Sequence, residues 1–77
     1  MNQAILFNDD LAFDKEQDAW CFTALLSAQV ITVYFHSMQL KRLIDIDTCT
    51  KFDLEELVEL WLEKNEPEGN TIHIQMG

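Results

Sequence analysis

Hydrophobic residues recur every three to four positions over residues 50–65, and this spacing predicts an amphipathic helix. The apolar positions would lie on one side of that helix and pack against a sheet or another helix. They are Leu54, Leu57, Val58, Trp61 and Leu62. Thr50 is a suitable N-cap, while Asn65 and then Pro67 mark the end. We therefore expect this segment to be the main helix of the fold.

Four shorter segments have the pattern of β-strands, at residues 4–7, 19–26, 29–35 and 71–76. The third is apolar on both faces, which is typical of a central strand or of one covered by a partner chain. The fourth alternates strictly between polar and apolar residues, so we expect it to be antiparallel or at an edge. Ser27-Ala28 lacks the Gly or Asn of a two-residue turn, which favours a four-residue loop on a type I turn.

A second, shorter helix is predicted for residues 38–44, with Ser37 as its N-cap. Leu40, Leu43 and Ile44 would share its inner side. The element order is then β-β-β-α-α-β. It predicts a single α+β domain over all 77 residues, in which a mostly antiparallel sheet of about four strands carries one short and one long helix on one face.

Several stretches of the first forty residues also occur in the order and spacing of a known protein family. They are residues 1–7, Phe13-Asp14-Lys15-Glu16, Phe22-Thr23-Ala24, 31–35 and 37–40. In these stretches the chain resembles a family of short bacterial proteins catalogued as domain of unknown function 1488, and the acidic helix is a weaker match. The family has no established reaction. The resemblance therefore implies a small bacterial α+β domain and carries over no functional residues.

The length and composition describe a small domain that folds but gains from any additional burial. A chain of 77 residues is near the size that buries only about 60% of its unfolded surface. Its hydrophobic content of 48% is above the disordered range despite a net charge of −9. Cys21 and Cys49 have no CxxC partner and are expected to be reduced thiols. With no secretory signal and no apolar span of roughly 18 residues, we expect a cytoplasmic protein.

The charge balance restricts the classes of partner. Fourteen acidic residues stand against five basic ones, so most of the surface would repel a phosphate backbone or an anionic membrane. Direct binding to nucleic acid or to membranes is therefore not expected. A basic protein partner is compatible with this charge, although acidic surfaces also serve solubility alone.

The sequence contains no recognisable catalytic motif, cofactor fingerprint or metal-ligand cluster. His36 and His73 are its two histidines, and neither has a second His or Cys at ligand spacing on the same element. We therefore expect no metal, no cofactor and no enzymatic activity. The alternative is a small enzyme or ligand-binding domain, with a site at the rim where His36, Cys21 and Tyr34 could meet.

The acidic residues of the main helix carry the leading functional hypothesis. Glu55, Glu56, Glu59 and Glu63 fall opposite its apolar stripe. We expect their charge to stay uncompensated by the (i, i+4) lysine partners that a solubilising helix often has. We expect a non-enzymatic interaction module, regulatory or accessory in role, that binds a basic protein surface through the outer face of residues 51–65.

Self-association is a further expectation from the same helix. Phe52 and Leu60 fall outside its apolar stripe, and the last strand adds Ile74 and Met76. Together with the two apolar faces of the third strand, these residues leave more hydrophobic surface than one helix layer covers easily. Burying such surface in a second copy would stabilise so small a domain, which favours a homodimer over a monomer.

Overall fold

Five strands and two helices make up the computed structural model, which describes residues 5–76. In chain order they are β1 (Ile5–Phe7), β2 (Ala12–Asp14), β3 (Ala19–Leu26), β4 (Gln29–His36), α1 (Met38–Lys41), α2 (Thr48–Lys64) and β5 (Thr71–Gln75). The predicted α+β class, with one short and one long helix, is confirmed. The strand β2 was not predicted, because Asp14 opens a polar run to Asp18 that indicates a hairpin connection rather than a strand. Ala4, the predicted start of the first strand, lies outside the described residues.

The strands form one mixed sheet with the order β1-β3-β4-β5, and β2 pairs with β3 beside β1. The pairings of β1, β2 and β4 with β3 are antiparallel. The last strand, β5, pairs with β4 in parallel. Its predicted edge position is confirmed, but its orientation is parallel because the chain crosses back over the sheet through α1 and α2 before entering it.

The hydrophobic core lies between one face of this sheet and the two helices. Alternate residues of β3, β4 and β5 point into it, as period two requires. Leu54, Val58 and Leu62 of α2 are buried in the same cluster, and Leu57 and Trp61 pack against it. The apolar stripe of the main helix is therefore confirmed. The opposite sheet face, here called the open face, has none of the described helices packed on it.

Both helix boundaries differ in part from the prediction. The N-cap of α2 is Asp47, three residues before the expected Thr50, because Asp47 has the extended backbone of an N-cap and accepts the Thr50 N–H at 2.8 Å. Ser37 caps α1 as expected. The helix α1 ends at Lys41 rather than at residue 44. The Arg42 and Leu43 N–H groups donate to the carbonyls three residues back, those of Gln39 and Leu40, as in a 3₁₀ turn. Ile44, predicted to be inward, is 99% exposed.

The turn between β3 and β4 is a two-residue turn, not the expected four-residue loop. Leu26 pairs directly with Gln29. Ser27 and Ala28 both have positive φ, at 51° and 67°, as a type I′ turn requires. Each non-glycine residue in this region costs about 1–2 kcal/mol. The pairing continues without a break from Trp20↔Phe35, and it fixes the register that the core residues need.

Candidate functional site

The outward side of α2 carries a mixed apolar and acidic surface, here called the outer face. It consists of Phe52, Glu56, Glu59, Leu60 and Glu63, all of which are exposed. Phe52 is 59% exposed and Leu60 is 51% exposed, so about half of each apolar side chain is open to solvent. Spacings of three, four and seven residues place these five on one side of a helix. Phe52 and Leu60 stand about 12 Å apart along the axis, with Glu56 between them.

Glu55 does not belong to this face, so its predicted place there is wrong. Its carboxylate oxygen lies 2.5 Å from the Lys51 ammonium, and the two side chains are only 17% and 15% exposed. The same ammonium lies 4.0 Å from Asp9 and 5.9 Å from the centre of the Phe22 ring. Lys51 therefore draws Glu55 towards the sheet. The (i, i+4) spacing of Lys51 and Glu55 is visible in the sequence and was the signal that could have identified this pair.

The remaining acids of the outer face have no basic partner among the described residues. Over residues 5–76 the ion pairs join Lys51 to Asp9 and Glu55, and Lys41 to Asp18. None involves Glu56, Glu59 or Glu63. The outer face thus combines two apolar side chains with three uncompensated carboxylates. In a complex, the apolar side chains of such a surface can pack against a partner protein, while the carboxylates attract basic groups of that partner.

The residues of the alternative rim site share the open face of the sheet. Cys21 and Tyr34 are register partners across β3 and β4, and Tyr34 pairs in turn with His73 of β5. The Tyr34 and His73 rings stack with their centres 5.1 Å apart. His36 Nε2 lies 2.8 Å from His73 Nδ1, so one imidazole donates to the other. His73 was not predicted for this cluster, because only the parallel placement of β5 brings it there.

The electrostatics of these groups do not favour nucleophilic chemistry. Burial raises the pKa of the Cys21 thiol, and the nearby Asp14 and Asp10 raise it further. Burial likewise raises the pKa of Tyr34, with smaller effects from Asp14, Cys21 and Glu16. Both groups are therefore protonated at neutral pH, and a protonated thiol is a weak nucleophile.

The rim residues also line different cavities. Tyr34 and His73 border a cavity of about 490 Å³, whereas His36 borders another of about 290 Å³. In the part of the chain that the structure describes, no group of three or more His, Cys, Asp or Glu residues could hold a metal ion. The described helices also include none that is long and apolar enough to cross a membrane.

Comparison with solved structures finds a similar chain. It is the crystal structure of a protein of unknown function from the DUF1488 family of Shewanella loihica PV-4, with a TM-score of 0.67 and 30% sequence identity. The match covers 99% of this chain and 94% of that one. The protein described here belongs to the DUF1488 family, which confirms the resemblance seen in its first forty residues. No family model matches the chain, and no curated protein matches it.

Proposed function

We propose that this protein is a non-enzymatic interaction module, regulatory or accessory in role, that binds a basic surface of another protein through the outer face of α2. One observation carries the proposal. Phe52 and Leu60 are exposed on the outward side of the helix, among three carboxylates that have no basic partner in the described structure. Neither nucleic acid nor membranes are expected partners, given a net charge of −9.

Solubility alone does not account for this surface. Acidic residues would keep a helix soluble without a neighbouring Phe52 or Leu60, and exposed apolar groups oppose that effect. Aromatic side chains are enriched at protein interfaces, where they become the energetically dominant contacts. The combination therefore favours a docking role over a solvated helix.

The two kinds of side chain would contribute different parts of binding. Glu56, Glu59 and Glu63 would accelerate the encounter with a basic partner and make it sensitive to salt. Phe52 and Leu60 would lose their remaining exposure in the complex, which contributes about 1 kcal/mol each, since roughly half of each side chain is already covered. The free thiols of Cys21 and Cys49 support a reducing compartment, and we propose that the protein acts in the cytoplasm.

The test is capture of partners from bacterial lysate on the immobilised protein, followed by affinity measurement with the purified partner. We expect a basic partner whose affinity falls as salt rises. Charge reversal by Glu59→Lys should weaken binding, whereas Glu16→Lys, an equal change in an exposed turn, should have little effect. Phe52→Ala should weaken binding more than Val30→Ala, which truncates an exposed apolar residue of the open face. Absence of any salt-sensitive partner would refute the proposal.

A further inference from the structure

The cavity of about 490 Å³ lies where the C-terminal end of α2 meets β5. Its volume is in the range of sites that bind ligands. Trp61, Tyr34 and His73 contribute aromatic rings to its lining, and Glu66 and Glu68 contribute carboxylates. No lysine or arginine is among the described residues that line it. The cavity is therefore aromatic and negatively charged.

Such a lining matches a cationic group. Aromatic faces attract ammonium and guanidinium groups, and a planar guanidinium can also stack on them. Glu66 and Glu68 take part in none of the ion pairs formed within residues 5–76, so they have no competing cation there. The Tyr34 and His73 rings are held nearly parallel, at 17°, and His73 is fixed further by its hydrogen bond to His36. The aromatic wall is thus in place before a ligand arrives.

The strand β5 borders this cavity, and one of its two edges has no strand paired to it among residues 5–76. At one end of the β4–β5 ladder the Met76 N–H donates to the His36 carbonyl, and at the other the Thr32 N–H donates to the Asn70 carbonyl, both at 2.9 Å. In a parallel ladder, every second residue directs its backbone groups to the neighbouring strand. The alternate residues Thr71, His73 and Gln75 of β5 direct theirs to the other side, where the sheet has no further strand among residues 5–76.

The free backbone groups begin at the cavity. Thr71 is the first residue of β5 that faces outward, and it exchanges two backbone hydrogen bonds of 3.1 Å with Glu68. His73 and Gln75 follow, and among residues 5–76 no other strand or turn pairs with their outward N–H and carbonyl groups. An unpaired strand edge is a template for an added strand.

We propose that the cavity binds the guanidinium or ammonium group of an extended protein segment, and that this segment pairs with the free edge of β5 at His73 and Gln75. The inference rests on the proposed function in taking a basic protein as partner, but it uses a surface other than the outer face. Charge complementarity favours such a partner over a second copy of this chain, which itself carries a net charge of −9.

The test is an NMR titration of the ¹⁵N-labelled full chain with four probes. They are N-acetyl-argininamide, its neutral analogue N-acetyl-citrullinamide, the pentapeptide acetyl-Val-Thr-Arg-Thr-Val-amide, and the same peptide N-methylated at alternate residues. We expect the arginine derivative to shift the Trp61 indole and the His73 amide, and the citrulline derivative to bind about tenfold more weakly. The pentapeptide should bind more tightly than the single residue and should also shift Gln75. N-methylation should remove that gain.

Matched variants make the outcome decisive. Glu66→Gln combined with Glu68→Gln should weaken the arginine derivative, whereas Glu56→Gln combined with Glu59→Gln, the same charge change on the outer face, should not. Equal binding of arginine and citrulline derivatives would overturn the proposal, as would equal affinity of the two peptides. Shifts at His73 and Gln75 that depend on protein concentration alone would show that a second copy occupies the edge, and would also overturn it.

The two proposals fail separately. If the outer face is the wrong docking site, Phe52→Ala and Glu59→Lys will leave capture of the partner unchanged while the peptide still binds at β5. If the cavity is the wrong site, the peptide will fail to bind while these outer-face variants still weaken capture of the partner.

Discussion

The ammonium group of Lys51 lies 2.5 Å from the carboxylate of Glu55, one turn further along α2. Both side chains are largely buried, at 15% and 17% exposure, and the Lys51 ammonium also lies over the Phe22 ring at 5.9 Å. Removing one partner from such a pair leaves the other charge largely desolvated and without compensation. The pair thus connects the long helix to the sheet, while the acids of the outer face stay in solvent.

We expect Lys51→Met to lower the free energy of unfolding by about 1–3 kcal/mol, less than for a fully buried pair because some solvent still reaches the charges. Urea denaturation at neutral pH measures this change. The double variant with Glu55→Leu should recover part of the loss, because no isolated charge remains. Lys64→Met, at an exposed position at the end of the helix, is the control and should change stability by less than about 0.5 kcal/mol. If the loss of stability in the double variant equals the sum of the losses in Lys51→Met and Glu55→Leu measured singly, the two side chains are not coupled.

The turn between β3 and β4 stores backbone strain that a glycine would relieve. Ala28 has φ of 67°, a region where a Cβ is disfavoured. We expect Ala28→Gly to stabilise the protein by about 0.5–1 kcal/mol, since the gain in the turn exceeds the entropy that glycine adds to the unfolded chain. Thermal unfolding measures the change. Ala24→Gly, in the buried middle of β3, should instead destabilise by about 1 kcal/mol. A loss of stability in Ala28→Gly would contradict the two-residue turn.

The N-cap of α2 should make stability depend on pH. The Thr50 backbone N–H donates to Asp47, and this hydrogen bond lowers the pKa of Asp47 from its ordinary value of 3.8. A carboxylate whose pKa is lower in the folded state contributes stability above its unfolded pKa and loses it as pH falls through the folded value. Relative to Asp47→Asn, which caps without titrating, the wild type should keep a constant advantage above about pH 5 and lose it below about pH 4. Urea denaturation from pH 6 to 3 measures this difference, and an unchanging difference would contradict it.

Self-association remains a prediction, and fewer exposed apolar residues support it than the sequence indicated. Ile74 is buried in the core, and Met76 is partly buried against it, so the last strand offers a second copy little apolar surface on this side. Phe52 and Leu60 stay exposed. A homodimer through the outer face would bring the Glu56, Glu59 and Glu63 carboxylates of two copies together, so it should form more readily at high salt.

Light scattering at about 100 μM protein, at low and high salt, measures this prediction. We expect the mass to approach that of a dimer as salt rises and Leu60→Glu to keep it monomeric. Leu6→Glu is the control, since it places the same charge on an exposed leucine of the open face. A monomeric mass at every salt concentration would reject the dimer.

The sequence by itself determined the class of the fold and the buried side of each long element. Apolar residues recur every three to four positions in α2 and at alternate positions in β3 and β5. These positions identify the buried side of each element, because buried positions are mostly apolar and exposed ones mostly polar. Leu54, Val58 and Ile72 are buried as this reasoning requires. The exposure of Phe52 and Leu60 followed in the same way, from their exclusion from the stripe.

Only the tertiary structure decided the boundaries, the turn and the contents of the sites. The helix α2 starts at Thr48 because Asp47 caps it, and α1 ends at Lys41 because the following N–H groups form bonds to the third residue back. The outward direction assigned to Glu55 was wrong because Lys51 anchors it over the sheet. The contact of His36 with His73 requires β5 to lie parallel to β4 after a long crossover. Local periodicity encodes burial, whereas strand order and pairing follow from contacts between residues that are distant in the sequence.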